Sequence, residues 1–195
     1  MHNVSAQNVN PRPPFWFRLS IIGGNLIQLA GTAFGVWVMY LAGKVVSGAL
    51  LRVVLVILGW LVTYLSCHSL AHWLVGRLVG IRFRGYGVRG TDHPEELGAV
   101  LRAVLTRLPM FTAITDKDSM QKAGPLARAL MFGAGETSTI ASVILAGLYA
   151  WHSHMPGGLA WVIVPILMSI DAVISTSRMP RGDYAKARRA LRGDL

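Results

Sequence analysis

Negative charge is scarce in this chain: nine Asp and Glu stand against nineteen Lys and Arg in 195 residues, and charged residues make up only 14%. A soluble domain of this size would not leave several uncharged runs of about twenty residues, so an ordinary globular class is excluded. Cysteine is nearly absent as well. The single Cys67 rules out an intramolecular disulfide and any C-x-x-C zinc pattern. It adjoins His68 but points about 100° away around a helix, so it reads as a small buried residue and not a ligand. No aromatic-interleaved basic module is present, which argues against nucleic acid as a partner. The net charge of +10 comes from basic residues that flank apolar runs, and this suits contact with the anionic headgroups of a lipid bilayer.

What is present is 53% hydrophobic residues, arranged in four long runs. Residues 19–43 and 53–76 contain no Asp, Glu, Lys or Arg, residues 129–151 contain only Glu136, and residues 158–177 contain only Asp171. Each is long enough to cross a hydrocarbon layer of ~30 Å as a helix. The expected fold is an all-α integral membrane protein with about four transmembrane helices. The first run is too long for a signal peptide and lacks a small-residue cleavage region, so it is expected to be retained.

Orientation follows from the basic residues. Arg12 and Arg18 precede the first run, residues 77–128 are rich in both signs, and Arg178, Arg181, Lys186, Arg188, Arg189 and Arg192 follow the last run. The remaining connections hold only Lys44 and Arg52, with no base between Trp151 and Gly158. The positive-inside rule then puts both termini and the middle segment in the cytosol, in what is expected to be the plasma (inner) membrane. The implied organisation is a cytosolic tail (1–18), one transmembrane domain (19–178) and a basic tail (179–195).

The middle segment carries a short insertion of its own. Ile81-Arg82-Phe83-Arg84 alternates apolar and basic residues and is followed by Gly85, Gly87 and Gly90, which predicts a strand or hairpin at the membrane surface. Leu97, Leu101, Val104, Leu105 and Leu108 share one helical face ahead of Pro109, a pattern for a short amphipathic helix at the interface or against other cytosolic parts.

Chemistry concentrates in His68-Ser69-Leu70-Ala71-His72. Two imidazoles four residues apart project within about 40° of each other, so both can reach one metal ion. Under the topology above, His72 and His68 lie about 7 Å and 13 Å along the helix from Arg77, Asp171 about 10 Å before Arg178, and Glu136 about 12 Å beyond Arg128. Four metal-competent side chains from three helices thus share one slab near the cytosolic face, and intramembrane acids are costly enough to demand a role or a partner. The histidine pair cannot by itself hold a b-type haem, whose axial ligands approach from opposite faces. His152 and His154, in the outer loop, point to opposite sides of an extended chain and read as solvated.

The order of these motifs resembles the three-helix core of site-2-protease-type intramembrane zinc metalloproteases. His68-Ser69-Leu70-Ala71-His72 stands in the place of H-E-x-x-H, Ala123-Gly124-Pro125-Leu126-Ala127 opens the next helix, and Asp171 lies in the helix after it. The resemblance covers about Trp60 to Arg178. It implies zinc held by His68, His72 and Asp171, transmembrane proteins as substrates or partners, and a substrate-binding edge on the strand after the histidine helix. Departures are equally specific. Ser69 replaces the glutamate that serves as general base, and a neutral hydroxyl cannot take a proton as a carboxylate does. Arg128 stands where asparagine is common, Ala172 where glycine usually follows the aspartate, and the upstream Asn-Pro is missing.

The sequence therefore predicts a polytopic membrane protein with an intramembrane metal site that is either a pseudoprotease or an atypical metallohydrolase. Glu136 enters as a relocated base or as a fourth ligand that closes the site. Two other classes fit the same residues: a metal- or proton-coupled carrier, and a structural subunit of a membrane complex.

Overall fold

In a computed structural model, the described residues are 14–91, 103–104 and 106–194. The chain runs β1 (Phe17–Leu19), α1 (Ile21–Lys44), α2 (Ala49–Leu78), β2 (Phe83–Arg89), β3 (Met110–Thr115), α3 (Lys117–Lys122), α4 (Pro125–His152), α5 (Ala160–Arg178) and α6 (Asp183–Arg192). α1, α2, α4 and α5 are each long and apolar enough to cross a membrane. They match the four predicted runs with ends that differ by up to four residues: α2 and α4 extend beyond both ends of their runs, while α1 and α5 begin two residues later. Most of the predicted amphipathic helix, at 97–102 and 105, lies outside the described residues, as does Arg12.

The all-α expectation needs one correction. β1, β2 and β3 form an antiparallel sheet in that order, with Phe17 opposite Val88 and Phe111 opposite Val88 from the other side. The alternation at 81–84 has its physical counterpart: Ile81 and Phe83 are buried, while Arg82 and Arg84 are exposed. β2 is nevertheless the central strand. Both of its edges are paired, so it has no free edge of the kind the resemblance implies.

Glycines set the spacing of the first two spans. A Cβ on Gly35 would lie 2.4 Å from the Gly59 carbonyl oxygen, and one on Gly31 would lie 2.3 Å from Ser66 Oγ. α1 and α2 therefore meet backbone to backbone, the close approach that small residues permit between apolar helices. α2 then packs on α4, α4 on α5, and α6 lies against α4 and α5. Ile81, Phe83 and Met131 form the core at the sheet end, and Ala42, Val56, Ala150 and Met155 close the other end. There Arg52 donates to the carbonyls of Ala42 and Ser153, at 3.1 and 2.9 Å, tying the start of α2 to the last turn of α1 and to the residue after α4.

Tyr86 joins the sheet to α1. Its ring is fully buried over Gly24, where a Cβ would come within 2.2 Å of it, and its hydroxyl donates to Asn25 Oδ1 at 2.6 Å. Burial pushes the phenol up to about 12 from its ordinary 10.0. The neutral phenol favours the folded state, so its contribution is complete below pH 10 and is lost as pH rises through about 12. Tyr86→Phe is expected to cost about 1 kcal/mol near neutrality, by leaving Asn25 without its donor, and to remove this step from the alkaline unfolding curve. Tyrosine absorbance and helicity followed together in base would read both effects.

Candidate metal centre

Three side chains meet at the sheet end of α2. His68 and His72 share one face of that helix, and their Nε2 atoms are 3.2 Å apart. Asp183, the first residue of α6, brings Oδ2 to 3.1 Å from each of them. Two corners are shielded, the side chains of His72 and Asp183 keeping only 13% and 12% of their accessible surface, while that of His68 keeps 30% and faces the opening.

Local structure explains how each reaches the point. The residues joining α5 to α6 turn sharply at Gly182, where a Cβ would lie 2.1 Å from the Thr176 carbonyl oxygen, so only glycine lets α6 fold back this closely. The buried alanines 185 and 190 then let α6 sit low on the bundle, and Tyr184 Oη meets Thr137 Oγ1 of α4 at 3.1 Å. On the other side, Gly135 of α4 makes room for His72, because a Cβ there would stand 2.2 Å from Nε2.

The tautomer of His72 is fixed by α4. Its Nδ1 lies 2.6 Å from the Met131 carbonyl oxygen, which can only accept, so Nδ1 carries a proton. In the neutral ring, Nε2 then turns a lone pair toward Asp183 Oδ2 and His68 Nε2. Burial pushes the Asp183 carboxyl up, but hydrogen bonds from the imidazoles when they carry a proton on Nε2, together with the charge of the Lys186 ammonium, outweigh it and hold the carboxyl well below the usual carboxylate range; with the rings neutral, a bound cation would take the place of those protons. An anionic oxygen and lone-pair nitrogens converging in a shielded place call for a cation. Ligands held 2.0–2.1 Å from a tetrahedral ion stand about 3.3 Å apart. The observed edges of 3.1 to 3.2 Å fit such an ion, with His68, His72 and Asp183 as the group that could hold it. His72 also has the hydrogen bond from its second nitrogen that metal-binding histidines ordinarily have.

The structure brings together two of the four side chains that the sequence grouped. His68 and His72 come together as expected, but Asp171 does not join them. It lies on the exposed face of α5, with Ser175 Oγ 3.5 Å away, because that face of the helix turns outward from α4 and α6. Asp183 takes the third corner. Its only sequence signal is an acid next to glycine within a basic tail. Glu136 is buried and lines the same cavity as the triangle without being one of its three corners. Cys67 is partly buried beside Ser138, and His152 and His154 are exposed; none of these joins the group.

The triangle opens into a cavity of about 590 Å³, walled by Leu65, Phe111, Met131 and Phe132 and bordered by Arg181, Lys186 and Arg189. Ser69 is 2% exposed, and its hydroxyl donates to the Phe111 carbonyl of β3. In an antiparallel ladder the N–H and C=O of one residue point the same way, so this bond turns that edge of β3 toward α2. A second groove of about 690 Å³, between Arg84, Asp116 and Lys122, holds none of the three metal-competent residues. Protein-family models, curated proteins and solved structures all yield no match to this chain.

Proposed function

We propose that this is a membrane-embedded zinc-binding protein built on a site-2-protease-like arrangement, a pseudoprotease whose metal sits near the cytosolic ends of its spans. The observation that carries this reading is the triangle of His68, His72 and Asp183, with edges suited to a tetrahedral ion and one histidine tautomer fixed from behind. Zinc suits two imidazoles and one carboxylate, and when bound it would act as a Lewis acid. Ser69 supports the non-hydrolytic part of the reading. Its hydroxyl is engaged with the Phe111 carbonyl, and it offers no carboxylate to take up a proton. The His72 proton on Nδ1 is likewise committed to Met131. Lys44 and Arg52 near one end, against the basic residues at the other, support cytosolic termini.

Glu136 favours a second reading, an atypical hydrolase, because a buried carboxyl on the cavity wall has the position a relocated base requires. Metal analysis and peptidase assays on detergent-purified protein separate the two. About one zinc per chain, lost in His68→Ala, is expected, together with no cleavage of transmembrane peptides by the wild type. Cleavage abolished by Glu136→Gln would replace the pseudoprotease with the hydrolase. A wild-type protein without bound metal would overturn both.

A further inference from the structure

The four apolar runs hold two acids, Glu136 and Asp171, and no Lys or Arg. The fold treats the two acids oppositely. Glu136 is 7% exposed among the helices, whereas Asp171 is exposed on the outer side of α5, about 10 Å along the helix from Arg178 and so inside the span. Its carboxylate accepts from Ser175 Oγ at 3.5 Å, longer than an ordinary O–H···O bond, and it forms no ion pair among the described residues. α5 is also the least covered of the four spans: of its nineteen described residues, Pro165 alone is buried. The side turned to α4 runs through Trp161 and Pro165, which stand against Gly147, and Asp171 lies about 120° around the helix from Pro165. Val164, Leu167, Asp171, Ile174 and Arg178 are all exposed and follow at alternating intervals of three and four residues, so they form one continuous seam on the outside of the helix.

We infer that this seam of α5 docks the transmembrane helix of another protein, one that carries a Lys or Arg at the depth of Asp171. Ionisable side chains inside a span ordinarily face the bundle interior or a water-filled cavity and pair there, because hydrocarbon solvates them poorly. An acid that the chain's own fold turns outward has its cation on a neighbour. That neighbour is not a second copy. No Lys or Arg lies within any of the four runs, and the two intramembrane histidines face each other and Asp183. Two copies packed seam to seam in the same orientation would set Asp171 against Asp171 at one depth, like charge on like. Val164, Leu167 and Ile174 supply the apolar flanks, whose side-chain packing holds helices together in lipid. The ion pair between those flanks is little screened, and it fixes the depth and rotation at which the partner sits. Nothing in this contact depends on the metal; it requires only that α5 span the membrane.

The test uses full-length protein in phosphatidylcholine vesicles with synthetic single-span leucine–alanine peptides, read by energy transfer from a dye on the peptide to one on the protein's C-terminal tail. Three peptides carry Lys at the depth of Asp171, Leu in that place, or Lys about 10 Å nearer the opposite face. The first is expected to associate about tenfold more tightly than the other two, the worth of one charge-assisted hydrogen bond. Asp171→Leu should abolish that preference. Asp171→Lys should transfer it to a peptide with Asp in the same place, a gain that a misfolded variant cannot mimic. Equal association of all three peptides, or a lysine preference that survives Asp171→Leu, would overturn the docking site. Energy transfer between two labelled copies of the wild type that disappears in Asp171→Leu would overturn it as well, by giving the seam to a second copy.

Discussion

Asp183→Ala is expected to bind zinc at least about a hundredfold more weakly than the wild type, while Asp171→Ala binds it equally well. The lower bound comes from hydrogen-bonded partners of metal ligands, whose loss alone costs about 10–100-fold; a corner of the triangle should cost no less. Asp183 Oδ2 is 3.1 Å from both imidazole nitrogens, and no other acid among the described residues completes a group with them. Asp171 is exposed on α5 and accepts a long hydrogen bond from Ser175 Oγ at 3.5 Å. Its truncation therefore removes a charge without opening the site. Competition titration against a chromophoric chelator would rank the variants. Equal weakening by the two substitutions would mean that α5 and α6 act on the site as one unit, and the reverse order would return the third corner to Asp171.

Gly135→Ala is expected to lower zinc affinity about 10–100-fold with no change in any ligand. The added Cβ would stand 2.2 Å from His72 Nε2, 2.6 Å from Cε1 and 2.7 Å from Cδ2, so the ring must move. The ring is also held from α4 by the Met131 carbonyl at 2.6 Å, and moving it breaks that bond. Two effects on stability compete. Alanine favours a helix over glycine by about 1 kcal/mol, while overpacking costs about 1–3 kcal/mol, so net destabilisation should win. Gly133→Ala, two residues earlier on the same helix, is the control. Its nearest atom would be Tyr184 Cε1 at 3.8 Å, an ordinary contact, so it should keep the metal and gain the helix propensity. Thermal unfolding in detergent and metal titration of both variants test the contrast. Identical behaviour of the two would show that α4 does not press on His72.

The histidine pair was legible because a helix repeat of 3.6 residues places positions four apart on one face whatever surrounds them. Four spans were legible for a similar reason: the cost of burying charge in hydrocarbon leaves uncharged runs that need no tertiary knowledge to find. Depth along a span proved a weaker guide. It ranked Asp171 with the histidines but carried no information about which way that side chain turns, and α5 rotates it outward.

The sequence by itself determined the four long helices and their approximate lengths, the alternation at Ile81 to Arg84 and the pairing of His68 with His72, since each of these follows from local periodicity or transfer cost, whereas α3 and α6 were not legible in it. Only the tertiary structure decided the third corner. Asp183 lies 111 residues from His72 and reaches it because Gly182 permits a tight return and Ala185 and Ala190 permit a close seat. The central place of β2 and the bond from Ser69 to Phe111 were settled in the same way, by pairing between segments distant in sequence. Such contacts depend on shape complementarity summed over many residues, and no single segment encodes them.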